Sequence, residues 1–246
     1  MAVDRERMAE AFGRLGDGGV SVERLIGDNV EILEDGGALT VVPSVDEAGA
    51  LAGYDVRQPA GAAHFTVSRV VVAPRRGVRL IANADRLQDV MDLMGIADLT
   101  APRAMNGAAI GIHIPPVVSI KYAGEGFEIE YVQAPTPRLD VPDTVDVRAL
   151  GEIGLRLIGL NPLEARRFAG TIDWTSTLVV PVPPFVEQFE QVSVNGHDGL
   201  FMRAAAPDGG GPPTTILVWS AGGRVYMLTA EGVSRGTLLE MAGSIG

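Results

Sequence analysis

The stretch Val117-Val118-Ser119-Ile120-Lys121-Tyr122-Ala123-Gly124-Glu125-Gly126-Phe127-Glu128-Ile129-Glu130-Tyr131-Val132 decides the fold. Large apolar residues alternate with polar ones on both sides of a Gly-containing turn, which is the period of a half-buried strand and not of a helix. The stretch therefore predicts a β-hairpin with one wet face. With Ala123-Gly124-Glu125-Gly126 as the loop, Tyr122 stands opposite Phe127 and Lys121 opposite Glu128. An aromatic pair and a charge pair across one turn favour that register.

Working upstream, Asn106-Gly107 leads into the alternation Ile110, Ile112, Ile114. Before it, Leu87, Val90, Met91 and Met94 recur at helical spacing over about residues 85–94, and Gly95 stops the helix. Phe65 to Val72 and Val78 to Ile81 are β-formers on either side of the turn Pro74-Arg75-Arg76-Gly77. Ser44-Val45-Asp46-Glu47 forms a capping box, and Gly53 closes that helix after two turns. Met8, Phe12 and Leu15 predict a short amphipathic helix at the start, followed by an irregular Gly- and Asp-rich stretch.

Downstream, Val147, Leu150, Gly154, Leu157 and Ile158 share one helical face, and Asn161-Pro162-Leu163-Glu164 caps and opens a further helix. Asn195-Gly196, a strand over Gly199 to Arg203 and a loop over Pro207 to Pro213 come next. A hairpin around Ala221-Gly222-Gly223 and a last helix, capped by Ser234 and carrying Leu238, Leu239 and Met241, complete the chain. Both Asn-Gly steps thus begin the order strand, loop, hairpin, loop, helix. That is either a degenerate internal duplication or the coincidence of two common motifs. Hairpins followed by helices imply antiparallel pairing, and the βαβ alternation of a parallel sheet is missing. The expected fold is α+β: a curved antiparallel sheet with helices packed on one face. Residues 1–40 form an N-terminal helix and linker, and 41–246 a single domain, with pseudo-repeats over about 64–160 and 161–246.

Composition bounds the function. The 246 residues are 46% hydrophobic and 21% charged, with 31 Gly, 16 Pro and only 5% aromatic residues, which favours many turns and short elements over a helical bundle. A net charge of -11 argues against nucleic-acid backbones as partners, because counterion release needs clustered Lys and Arg. All basic residues but Lys121 are Arg, and they are scattered along the chain. With no Cys, thiol catalysis, zinc ribbons and disulfides fall away together. No apolar run reaches the length of a membrane span. Met1 to Arg7 lacks the apolar core of a signal peptide, so the chain is either cytoplasmic or has lost an anchor or signal upstream.

No motif in the chain carries catalysis, a metal or a cofactor. His64, His113 and His197 stand apart, with no metal-ligand spacing between them. His197-Asp198 reads as a solvated turn, and Ser193 nearby lacks the glycines of a nucleophile elbow. Asp35-Gly36-Gly37 and Asp208-Gly209-Gly210-Gly211 lack the Lys-Ser/Thr ending of a phosphate loop. Glu128 and Glu130 share a strand face with Lys121, which favours a solvated surface over a catalytic carboxylate pair. Asp173-Trp174 reads as a pocket lining or as a buried anchor. Pro115-Pro116 and Pro183-Pro184-Phe185 place paired prolines in apolar segments, where a ladder donor is missing. They mark either protected sheet edges or, with Trp174, the border of an apolar groove for a lipid tail or an extended peptide.

Two segments carry a resemblance. Glu47-Ala48, Leu51-Ala52-Gly53-Tyr54-Asp55-Val56 and Pro59 form the first, and Trp219, Gly223, Val225, Tyr226, Leu228, Leu238, Leu239, Ala242, Ser244 and Ile245 the second. Together they resemble a family of exported bacterial domains of unknown function. These domains form the extracytoplasmic part of anti-sigma-factor-like, membrane-anchored proteins and are distantly similar to outer-membrane lipoprotein carriers and the periplasmic regulator of sigma-E. The resemblance runs from about Ser44 to the C-terminus, and its motifs are structural, so it transfers no catalytic residue. It implies an ectodomain outside the cytoplasm, cut from a membrane anchor and without a sigma-interacting module. The role it implies is non-catalytic sensing or binding for a membrane partner, or, as the alternative, carriage of lipid or lipoprotein.

Overall fold

A computed structural model describes residues 30–60, 65–124, 127–157, 160–171, 186–204 and 212–245. Among them are twelve strands and five α-helices, and the strands form two antiparallel sheets, with an open, curved sheet that makes the fold α+β. The chain divides into two compact units of interleaved segments. One takes the described residues within 35–76, 114–137 and 185–246, and the other those within 1–34, 77–113 and 138–184. The expected helix over the first fifteen residues lies outside the described residues.

The larger sheet runs in the order β2 (Thr40–Val42), β3 (Thr66–Ala73), β6 (Val117–Gly124), β7 (Phe127–Pro135), β12 (Arg224–Glu231), β11 (Thr214–Ala221), β10 (His197–Ala204), β9 (Val186–Val194). Alternation along each strand sends every second residue to one face, and the registers align these residues in continuous rows. One row is Val42, Val70, Ile120, Tyr131, Leu228, Leu217 and Phe201. The next is Val72, Val118, Gln133, Tyr226, Trp219, Gly199 and Val192. Helices α1 (Val45–Ala52) and α5 (Arg235–Gly243) cover these rows with Ala48, Ala52, Leu238, Met241 and Ala242. Their caps are those read from the sequence. Ser44 Oγ accepts from the Glu47 amide at 3.2 Å, Gly53 closes α1 at φ 78°, and Ser234 Oγ accepts from the Thr237 amide at 3.2 Å. Asn195, at φ 50°, and Gly196 make the tight β9–β10 turn that an Asn-Gly pair favours, and the Asn195 amide donates to the Gly243 carbonyl at the end of α5.

The deciding hairpin forms, but with another register. Tyr122 pairs with Ile129, Lys121 with Glu130 and Gly124 with Phe127, so only residues 125 and 126 separate the strands. A two-residue connection matches the twist of the strands better than four. The shift is by two residues and keeps every side chain on its expected face. Lys121 still reaches Glu128, diagonally, at 2.7 Å, and Glu128 holds the Lys121 ammonium above its usual range. The Phe127 ring lies over Gly124, in the space a Cβ would need.

β6–β7 and β11–β12 are neighbours through the β7–β12 pairing, but the strand after Asn106-Gly107 joins the other sheet. That smaller sheet has the order β1 (Val30–Asp35), β4 (Arg76–Ile81), β5 (Ala109–Ile114), β8 (Arg138–Asp140). The Pro74-Arg75 turn likewise separates strands of different sheets instead of closing a hairpin. The second unit also carries α2 (Ala84–Leu93), α3 (Val147–Leu157) and α4 (Pro162–Thr171). No helix among the described residues is long and apolar enough to cross a membrane.

All four tyrosines of the chain belong to the larger unit, and three of them titrate abnormally. Burial pushes Tyr54 and Tyr122 up to about 12 and raises Tyr131 further. A phenol whose folded pKa exceeds its unfolded value contributes its full stability below the unfolded value, about 10, and loses it as pH rises toward the folded one. Urea midpoints are therefore expected to hold to about pH 10 and then to fall toward pH 12, with tyrosinate absorbance appearing together with unfolding. A flat midpoint across that window would contradict the buried phenols.

Candidate functional site

The site grows from the end of β4. There Leu80, Ile81 and Ala82 run into Asn83, whose side chain accepts from the Arg86 amide at 2.9 Å and so caps α2. Asn106, of the Asn-Gly step, accepts from the Ala84 amide at 2.6 Å, and the Ala82 amide donates to the Ala108 carbonyl at 2.8 Å. These bonds pin the first turn of α2 to the segment that leads into β5. The helix then directs Arg86, Leu87 and Val90 inward, toward Met105, Ile110 of β5, and Leu150 and Leu157 of α3. Gln88 accepts from the Ala101 amide at 2.9 Å, and Arg156 grips Asp98 with two bonds of 2.7 and 3.2 Å. They hold the following loop in place.

Between these elements is an apolar cavity of about 290 Å³, lined among the described residues by those of β4, α2, Met105, β5 and α3 named above. Behind it, Met91, Ile96, Ala101, Val145 and Ile153 close the core of the unit. Arg86 is the one charged side chain among the described lining residues. Such a volume stands at the small end of ligand pockets, about 300–1,000 Å³. It can remove an apolar group from water, and it offers no paired groups for acid–base chemistry.

The described residues singled out in the sequence lie on separate elements. Pro115 and Pro116 occupy the connection between β5 and β6, both interior strands, so they protect no edge. Their missing N–H groups suit a step from one sheet to another, where no ladder continues. Tyr54 Oη lies 3.2 Å from the Pro116 carbonyl and donates to the Gln133 carbonyl at 2.7 Å. Trp174, Pro183, Pro184 and Phe185 lie outside the described residues, as do Asp173 and His64. His113 Nε2 meets Asp140 Oδ2 at 2.7 Å, with Arg138 on the other carboxylate oxygen at 3.6 Å, on an exposed surface where Gly111 leaves them room. His197 and Asp198 open β10 and are exposed. Glu130 accepts from Ser119 at 2.6 Å on the face opposite the helices. Among the described residues no group of three or more His, Asp or Glu could hold a metal.

No family model, curated protein or solved structure matches the chain. The fold defines the class: an α+β protein with two antiparallel sheets and a half-open apolar pocket beside the smaller one. The sequence signalled half of this site. Leu87, Val90, Leu150 and Leu157 were legible as apolar helix faces, which normally fill a core. That two such faces leave room between them, and that Arg86 joins them, has no counterpart in residue spacing.

Proposed function

We propose that this chain is a non-catalytic binding domain that takes a small apolar ligand into the cavity between β4, α2 and α3. The observation that carries the reading is an apolar space of about 290 Å³ beside a capped, pinned helix terminus. A pre-formed apolar pocket is a stronger ligand signal than exposed apolar patches, because close packing normally eliminates such volume. The acidic composition supports a ligand other than nucleic acid.

The resemblance at Glu47–Pro59 and Trp219–Ile245 supports an extracytoplasmic sensing role in an anchored, anti-sigma-factor-like protein. There, ligand occupancy would shift a membrane partner by favouring one of two states. The carrier alternative shares the binding step and differs in that purified protein would retain its cargo, visible as acyl mass in native mass spectrometry.

The neutral dye N-phenylnaphthylamine tests the binding step. Saturable emission at one dye per chain is expected, abolished by Leu87→Trp, whose indole fills the cavity, and equally by Leu150→Trp from the opposite wall. Circular dichroism confirms that each variant is folded. Absence of saturable emission, or emission unchanged in both folded variants, would overturn the proposal.

A further inference from the structure

We propose that the pocket takes the alkyl end of an amphiphile and leaves the polar head of the same molecule in water, so that the ligand is selected by its chain and not by its head group; this rests on the binding reading above. The pocket is half open, and a molecule seated on its walls keeps one end outside. The walls are aliphatic: Leu80, Ile81, Leu87, Val90, Ile110 and Leu157 supply most of the contact. None of the described lining residues is aromatic, so no ring face is offered to stack on a planar ligand. Methylenes buried against such walls gain about fourfold in affinity each.

The polar groups around the pocket are committed to the protein itself. Asn83 Oδ1 accepts from the Arg86 amide and Asn106 Oδ1 from the Ala84 amide, so two first-turn amides of α2 are already bonded. Arg86 has an interaction of its own within the protein. A head group drawn inside would have to break these bonds to replace its lost hydration. An extended peptide is disfavoured for a similar reason. β4 and β5 are both interior strands of their sheet. Past their ends the Ala82 amide donates to the Ala108 carbonyl at 2.8 Å, and the Gly107 amide to the Ala82 carbonyl at 2.9 Å. The peptide groups of an incoming segment would find no open ladder there, whereas an alkyl chain asks for no hydrogen bond.

Displacement of N-phenylnaphthylamine by four octyl compounds tests the selection. They are octanol, octanoate, octyltrimethylammonium and the octyl ether of a long polyethylene glycol, each below its micelle concentration. Physiological ionic strength screens the net negative charge of the protein. The four half-displacing concentrations are expected to agree within about threefold, because each compound buries the same chain and keeps its head in water. A head bonded to the wall would separate them by about tenfold or more, the size of one charge-assisted hydrogen bond. Val90→Thr keeps the shape of the wall and adds a hydroxyl to it, and it should weaken all four by one common factor.

A wider spread among octanol, octanoate and octyltrimethylammonium overturns the indifference to head group. Failure of the polyethylene glycol ether alone shows that the ligand must be enclosed, which overturns the open end. Unequal weakening by Val90→Thr overturns a shared site for the chain. Each of these leaves apolar binding itself standing. A protein that binds no dye fails the binding reading and this proposal with it. The wild-type series decides the selection even if the Val90 variant does not fold.

Discussion

Gln133→Leu is expected to destabilise the larger unit by about 3 kcal/mol, because the buried Tyr131 hydroxyl loses its partner, at roughly 1–3 kcal/mol, and two part-buried backbone groups that water can reach lose theirs at less. Gln133 is fully buried, in the sheet row between Val118 and Tyr226. Its Oε1 accepts from the Tyr131 hydroxyl and from the Arg57 amide, both at 2.9 Å, and its Nε2 donates to the Asp55 carbonyl at 3.0 Å. One side chain thus satisfies the backbone of the segment after α1 and ties it to the middle of the sheet. Leucine has nearly the same volume, so the loss is one of hydrogen bonds and not of packing. Tyr131→Phe, which removes one donor and leaves the rest, should cost about 1 kcal/mol. Urea denaturation midpoints measure both; a Gln133→Leu loss no greater than that of Tyr131→Phe would show that the segment holds without its glutamine.

Trp219→Ala should cost about 4 kcal/mol, within the range of roughly 3–5 kcal/mol for deleting a large buried aromatic ring. Trp219 is 3% exposed and stacks on Tyr226 with ring centroids 5.2 Å apart. Gly199, opposite it on β10, leaves the space the indole needs: a Cβ there would come within 3.2 Å of the Trp219 Cβ. With a glycine as its cross-strand neighbour, the hole left by alanine has few side chains able to collapse into it. A small part of the loss is recovered, since the Tyr226 hydroxyl, buried with no hydrogen-bond partner among the described residues, would gain access to water. Trp219→Phe keeps the stack and should cost clearly less. Thermal unfolding of the two variants separates them, and equal losses would mean that the stacked ring contributes only its hydrophobic area.

Elements governed by near neighbours were readable from the sequence. Ser44, Ser234 and Asn161 cap the helices that follow them, because a cap depends on residues three positions away. Asn195-Gly196 and Gly222-Gly223 adopt positive φ in two-residue turns, because few other residues do so without strain. The apolar faces of β6, β7, β11 and β12 are those that alternation predicts. The deciding hairpin shows where this reading stops: registers two residues apart put the same side chains on the same face, so patterning could not choose between them.

The sequence by itself therefore determined the α+β class, the hairpins, the capped helices and which side of each strand is apolar. Only the tertiary structure decided that β4 and β5 leave their sequence neighbours for a second sheet, that Gln133 is buried as a three-way hydrogen-bond partner, and that α2 and α3 leave a cavity beside Arg86. Local periodicity and caps act over a few residues and are written in spacing. The choice of partner strand, and the space left between two apolar faces, depend on long-range packing between segments tens of residues apart, where many pairings bury similar area and only the assembled core selects one.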